Sequence, residues 1–368
     1  MRKIMHTWLT AAVVMMLAAC NTTQQQDELT MVVGTYTYGD SEGIYTYRFD
    51  QEQGKVTPLN TIKMENPSYL TFSKNGQVMY VVSELHNEHA ALAAFKFNKD
   101  DGTAELINQQ PTYGEDPCYV ATNGKIVTTA NYSGGSMSVF PLRYDGGLEP
   151  VDTIFCGNVG GPDMSRQEEA HVHCTIFSPD GKRLLASDFS ADQILLFDVE
   201  ADPAKPHLLM DTTPINRDSG PRHIIFSADG KFVYIVSELS EAVTVCQYNN
   251  GKMEVIQTIE THPQADRHAA DIHLSPDGEF LYASVRNVDD GLAIFKVDDK
   301  TGMLEKVGYQ PTGKHPRNFN ITPNGKFVLV ADMNDNMIEI FQRNLKTGLL
   351  TKADEIKLSM PVCVVFTK

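Results

Sequence analysis

Six times along this chain, a run of alternating apolar residues meets a short polar turn with a glycine and resumes at once as a second apolar run. The turn glycines are Gly76, Gly124, Gly181, Gly230, Gly278 and Gly325, separated by 48, 57, 49, 48 and 47 residues. Asp-Gly or Asn-Gly between alternating runs is a strong hairpin signal, because the turn needs backbone with φ > 0. Residues 220–248, GPRHIIFSADGKFVYIVSELSEAVTVCQY, give the pattern most fully, with strands expected at 222–227, 232–237 and 242–248. A polar turn and a fourth strand such as KMEVIQTIE follow. Such a recurring unit constrains the fold more than any single motif.

Four antiparallel strands per unit predict an all-β, seven-bladed β-propeller. No stretch beyond the N-terminus keeps a helical period, which disfavours α/β folds. The turns before the fourth strands number seven: QEQG, KDDG, YDGG, ADPAKP, NNG, DKTG and LKTG. The hairpin glycines number six, and the chain ends explain the difference. MPVCVVF (360–366) reads as a first strand without its turn, and LTMVVGTY (29–36) as a second strand without a predecessor. Paired, they complete a seventh blade and close the ring without exposed edges. The longest spacing comes from CGNVGGPDMSRQEEAH (156–171), an insertion that is either a functional loop or a tolerated surface excursion.

The N-terminal residues read as an address. Arg2 and Lys3 precede an apolar run from Leu9 to Ala19, too short to span a bilayer comfortably. It closes on Leu17-Ala18-Ala19-Cys20, which resembles the bacterial lipoprotein cleavage box. The resemblance implies a signal peptide at 1–19, acylation of Cys20, a tether over 20–29, and a folded domain at 30–368. The protein is then expected outside the cytoplasm, on the periplasmic side, touching membrane only through its lipid. A net charge of −16 argues against a nucleic-acid surface. The other five cysteines, Cys118, Cys156, Cys174, Cys246 and Cys363, form no CxxC pair and read as small core residues.

Propeller first strands line a central channel, and hairpin register says which residues share a level. Eight positions before the glycines stand Ser68, His173, Arg222, Ala270 and Arg317. Seven or eight after them stand Glu84, Asn131, Asp188, Glu238, Arg286 and Asp332. All are expected at one mouth of the channel. Polar groups there often serve only water and neighbouring blades, but converging arginines favour an anion-binding mouth. Asp188 and Asp332 are expected to fix backbone between blades. His171 and His173 lie two apart, hence on one strand face. No third ligand follows from their spacing, so neither metal nor cofactor is expected. His273 reads as a satisfied core histidine, and His268 is ambiguous. No GxSxG elbow, P-loop or HExxH occurs.

The segments GPRHIIFSADGKFVYIVSELSEAVTV, EAHVHCTIFSPDGK, ADIHLSPDGEFLYASVRN, HPRNFNITPNGKF and ANYSGGSMSVFPL resemble the seven-bladed lactonase family. Its members include bacterial 6-phosphogluconolactonases and a fungal carboxy-muconate lactonising enzyme. The resemblance runs from about residue 30 to the C-terminus, and it is more specific for fold than for reaction. It implies a catalytic quartet of His173, Arg222, Glu238 and Arg286. Arg166 and Gln167 match a family RQ motif, and Asn131 matches the ANY segment. With Arg317, His171 and His223 these make the candidate substrate-binding set.

Lactone hydrolysis needs a positioned water, a base and oxyanion stabilisation. Either His173 or Glu238 serves as base on this reading, and Glu238 alternatively orients an arginine. Arg222 holds the oxyanion, while Arg286 and Arg317 grip phosphate or carboxylate. Three functions stay open: a lactonase acting on a small, anionic sugar lactone, a cycloisomerase-like enzyme, and an exported propeller that binds an acidic ligand or a protein without catalysis.

Overall fold

The computed structural model describes residues 28–199, 208–262 and 267–367. Cys20, the leader and the ADPAKP turn lie outside the described residues. Seven four-stranded antiparallel sheets are arranged as blades. Blade 1 comprises Leu70–Phe72, Val78–Ser83, Ala91–Asn98 and Thr103–Pro111. Blade 2 comprises Pro117–Thr122, Ile126–Asn131, Ser136–Pro141 and Thr153–Cys156. Blade 3 is built from Val172–Phe177, Arg183–Asp188, Gln193–Asp198 and Leu208–Pro214, and blade 4 from Pro221–Phe226, Phe232–Ser237, Ala242–Asn249 and Lys252–Glu260. Blade 5 holds Ala269–Leu274, Phe280–Val285, Gly291–Val297 and Leu304–Pro311, and blade 6 holds Pro316–Ile321, Phe327–Asp332, Met337–Arg343 and Leu350–Lys357.

Blade 7 takes its first strand from the C-terminus, Pro361–Thr367, and the other three from the N-terminus: Glu28–Thr35, Gly43–Asp50 and Lys55–Lys63. Val32 pairs with Val365 and Met31 with Phe366, so the expected closure is present. Glu28 and Leu29 already pair with Asp50 and Phe49, so the strand begins inside the segment expected to be tether. All six marker glycines sit at positive φ, between 69° and 85°. An L-residue in that region pays a steric cost that glycine escapes.

The apolar residues gather into seven clusters, each shared between two neighbouring blades. Phe232, Tyr234 and Val245 of blade 4 pack on Ile272, Leu281 and Phe295 of blade 5, for example. Burying one such side chain stabilises by roughly 1.5–3 kcal/mol, so the ring is held by its blade interfaces. Cys174, Cys246 and Cys363 fill these clusters as expected. Cys156 is exposed, and Cys118 belongs to the site described next.

Candidate active site

In six blades the first strand carries a register shift near its start, where one extra residue faces the partner strand. A β-bulge of this kind re-aims a side chain. The residues at the shift include Cys118, His173, Arg222, Arg317 and Val362. The second strands end beside them, and the residue after each strand forms a second ring: Tyr36, Glu84, Tyr132, Phe189, Glu238, Arg286 and Met333. Members of both rings enclose a cavity of about 250 Å³ whose wall includes Glu84, Cys118, Tyr132, His173, Glu238, Arg286 and Arg317. Asp116 and Arg166 complete that wall.

The long insertion reaches the cavity wall. It delivers Arg166, whose Nη2 donates to Glu238 Oε1 at 2.6 Å. Behind it, Gln167 Nε2 donates to Phe189 O at 3.1 Å and Asp192 Oδ1 at 2.8 Å. Gly161 allows this packing, since a Cβ there would stand 2.1 Å from the Gln167 side chain. Arg267 adds a tie from blade 5, donating to Asp163 at 2.7 Å.

Glu238 is held by three guanidinium groups. Besides Arg166 it accepts from Arg222 Nε at 2.8 Å and lies 3.1 Å from Arg286 Nη2. Burial by itself would raise its pKa, but Arg286, Arg222 and Arg166 together hold the carboxyl far below its usual range. Such a carboxylate is a poor proton acceptor. His173 is different. Burial, with Arg222, His223 and Arg317 nearby, pushes its pKa well below 6.5, so the imidazole is neutral at neutral pH. Its Nδ1 lies 3.6 Å from Cys118 Sγ, which leaves Nε2 for a ligand.

Arg222 is only 2% exposed and lies beneath Glu238, off the cavity wall. Its Nη1 donates to Ala270 O at 2.6 Å and meets His223 Nε2 at 3.2 Å. His223 Nδ1 in turn sits 2.7 Å from Asp271 Oδ1. Asp271 accepts from Asn318 Nδ2 at 2.6 Å and approaches His273 Nε2 at 3.0 Å. Burial and Arg222 lower the His223 pKa to about 4. A neutral His223 that donates from Nδ1 to Asp271 must accept at Nε2 from Arg222. This buried chain fixes the guanidinium that fixes Glu238. Arg222 and His223 are therefore supports, where the sequence suggested an oxyanion donor and a substrate contact.

The other expectations divide by register. Glu238, Arg286 and Glu84 stand eight residues after their glycines and line the cavity, whereas Asn131, Asp188 and Asp332 stand seven after theirs and do not. Successive strand side chains point to opposite faces. Asn131 is buried within blade 2, donating to Ser136 and Ser138 at 3.0 and 2.9 Å, so it is no substrate contact. Gln167 likewise anchors the loop rather than facing the cavity. Asp188 does tie backbone, accepting from Asn158 N at 3.0 Å. Among the described residues the Asp332 carboxylate accepts from no backbone N–H; burial and the adjacent Glu339 push its carboxyl up to about 9.

His171 stacks on Tyr132 at 4.1 Å with its Nδ1 2.8 Å from Tyr132 O, supporting the wall from behind. His268 offers its carbonyl to Arg286 Nε at 2.8 Å. Arg317 lies over the Tyr36 ring at 5.3 Å and 3.8 Å from Glu84 Oε1.

Apart from the loop's Arg166, the register count missed three wall residues, Asp116, Cys118 and Tyr132. Tyr132 is the residue eight after Gly124, equivalent to Glu238. Cys118 stands six rather than eight before that glycine, because the blade 2 hairpin closes Asn123 to Ile126 where blade 3 closes Ser178 to Arg183. Its signal was Pro117, which matches Pro221 and Pro316 before the arginines.

Among the described residues no group of acidic, histidine or cysteine side chains is arranged to hold a metal. A larger cavity of about 510 Å³ lies between the hairpin turns of blades 3 and 4, at the other end of their strands. Among its charges Lys231 pairs with Asp229 at 2.8 Å and Arg183 with Asp198 at 3.2 Å, and no histidine is among its lining residues.

The family model described as lactonase, 7-bladed beta-propeller, matches residues 30–366. A Formosa agariphila protein named 6-phosphogluconolactonase is 35% identical over 333 residues, covering 88% of this chain and 94% of its own. A Bacillus subtilis protein of the same name is 31% identical, with 91% and 97% covered. A crystal structure from Bacteroides uniformis aligns with a TM-score of 0.91 at 54% identity, covering 93% of this chain and all of its own. The Pseudomonas aeruginosa periplasmic gluconolactonase aligns with a TM-score of 0.88 at 34% identity, covering 93% and 99%. With its ring closed, its blades counted and its motifs in place, this chain belongs to the seven-bladed β-propeller lactonase family.

Proposed function

We propose that the cavity at this mouth hydrolyses a sugar lactone to its open-chain acid. The carrying observation is a neutral imidazole, His173, in the same small cavity as guanidinium groups that still have N–H donors to offer. The relatives named 6-phosphogluconolactonase point to the same chemistry.

Water attacks the lactone carbonyl carbon while His173 Nε2 takes its proton. The carbonyl oxygen becomes an oxyanion, held by Arg166 and by Arg286 Nη1, whose nearest partner is His315 at 3.4 Å. The ring C–O bond then breaks, and the His173 proton passes to the departing ring oxygen, which becomes a hydroxyl. One water is consumed, and the new carboxylic acid ionises to release one proton. Glu238 acts as the pin for the arginines. Arg317 faces the substituents of the sugar.

Purified protein offered sugar lactones, including D-glucono-δ-lactone and its 6-phosphate, should release acid in a pH-stat faster than the buffer blank. Blank rates for every lactone would refute the reading.

We also place the enzyme outside the cytoplasm, tethered by acylated Cys20. The charged start, short apolar run and Leu-Ala-Ala-Cys sequence support this. Cys20→Ala should then move the protein from the membrane fraction to a soluble one; an unchanged distribution would remove the anchor.

A further inference from the structure

Glu84 and Arg317 are the two charged groups of the cavity that the protein leaves mostly unused. Among the described residues Glu84 Oε1 accepts one hydrogen bond, from the Tyr36 hydroxyl at 2.7 Å, and the buried Oε2 accepts none. An ionised carboxylate has room for about four. Arg317 donates no hydrogen bond among the described residues, although its guanidinium carries five N–H groups. Tyr36 presents its ring to Arg317 and its hydroxyl to Glu84, so it holds both in place.

The gap between the two groups is 3.8 Å, beyond a hydrogen bond. A single ligand atom that accepts from the guanidinium and donates to the carboxylate would satisfy both. A hydroxyl oxygen does both; a carboxylate only accepts, and a methylene does neither. The outer torsion of a glutamate is soft, so the carboxylate can turn its unpartnered oxygen toward a donor entering the cavity.

We propose that Tyr36, Glu84 and Arg317 form a hydroxyl-reading subsite that selects polyhydroxylated lactones over lactones without hydroxyls. This deepens the lactonase reading and rests on it for its substrate. A buried site built to hydrogen-bond a substrate hydroxyl rejects the analogue that lacks it, because its own polar groups are left unpaired.

The experiment compares wild type with Glu84→Gln on D-glucono-δ-lactone, its 6-phosphate and hydroxyl-free δ-valerolactone by pH-stat. Binding of D-gluconate and of hexanoate is measured alongside by calorimetry. Glu84→Gln should lower kcat/KM on the sugar lactones by about tenfold to a hundredfold, chiefly through KM, and leave δ-valerolactone within about twofold. Gluconate binding should weaken in step, and hexanoate binding should not. Equal losses on hydroxylated and hydroxyl-free compounds, or a fall confined to kcat, would overturn the subsite. Wild type that turns over no lactone but keeps the gluconate contrast would overturn the lactonase reading and leave the subsite standing. If Glu84→Gln does not fold, Tyr36→Phe provides the same comparison, with a smaller loss of discrimination expected and an unchanged ratio again fatal.

Discussion

Glu84 and Glu238 occupy the same backbone slot, one residue past the second strand of blades 1 and 4, yet the protein treats them oppositely. Glu238 is held by three guanidinium groups at 2.6, 2.8 and 3.1 Å. Glu84 has one phenol at 2.7 Å and a guanidinium at 3.8 Å. The slot is set by strand register; the difference comes from the neighbours. Around Glu238, the 156–171 loop supplies Arg166, the blade 4 bulge supplies Arg222, and blade 5 supplies Arg286. Around Glu84, blade 7 supplies Tyr36 and blade 6 supplies Arg317. One carboxylate therefore ties three arginines together on the His173 side of the cavity, and the other keeps an oxygen without a partner among the described residues.

The largest expected effect probes the reactive half. His173→Ala should fold, by circular dichroism, and lose about 10²–10⁴-fold in kcat. In wild type, kcat/KM should stay level from about pH 8 down to about pH 6.5 and fall only well below, since the imidazole pKa is depressed. An acid limb at or above 6.5 would assign the base elsewhere.

Glu238→Gln comes next, and it should strike stability. It leaves the buried guanidinium groups of Arg222 and Arg286, and the half-buried one of Arg166, without their counter-charge, at a cost of about 3–5 kcal/mol in urea unfolding. Glu84→Gln should cost less than about 1 kcal/mol. Equal costs would erase the contrast between the two halves.

Asp271→Asn tests the chain behind the locked half. It should cost about 2–3 kcal/mol and shift the His223 tautomer, read by ¹⁵N NMR; an unchanged tautomer would show that Asp271 does not set it.

The prediction furthest from the cavity concerns Asp332, whose slot points away from it. Its carboxyl ionises near 3.8 when unfolded and is pushed up to about 9 when folded, by burial and Glu339. The folded state thus keeps a proton that the unfolded state loses. Its stabilising contribution is complete below 3.8 and is lost as pH rises through about 9. Asp332→Asn should gain on wild type steadily as pH rises from about 4 to about 8, because only wild type loses a proton that stabilises its folded state. A pH-independent difference would contradict this.

The fold was legible because its signals are local. A positive-φ glycine and two alternating runs make a hairpin, and counting hairpins and turns makes a seven-bladed ring, down to the strand shared by both chain ends. The level of the site was legible for the same reason. Three things were not. Whether a residue seven or eight past the glycine faces the cavity turns on strand parity, which misplaced Asn131, and hairpin length varies, which hid Cys118. The burial of Arg222 beneath Glu238 depends on packing between blades 4 and 5, and no local pattern carries it. His223 is a support for that same reason: its partner Asp271 lies 48 residues away in sequence.

The most direct test is a crystal structure of folded His173→Ala soaked with D-glucono-δ-lactone. The ester carbonyl should lie at the vacated imidazole, facing Arg166 and Arg286, with a ring hydroxyl bridging Glu84 and Arg317. A lactone bound in reverse, or seated between the hairpin turns of blades 3 and 4, would contradict the account.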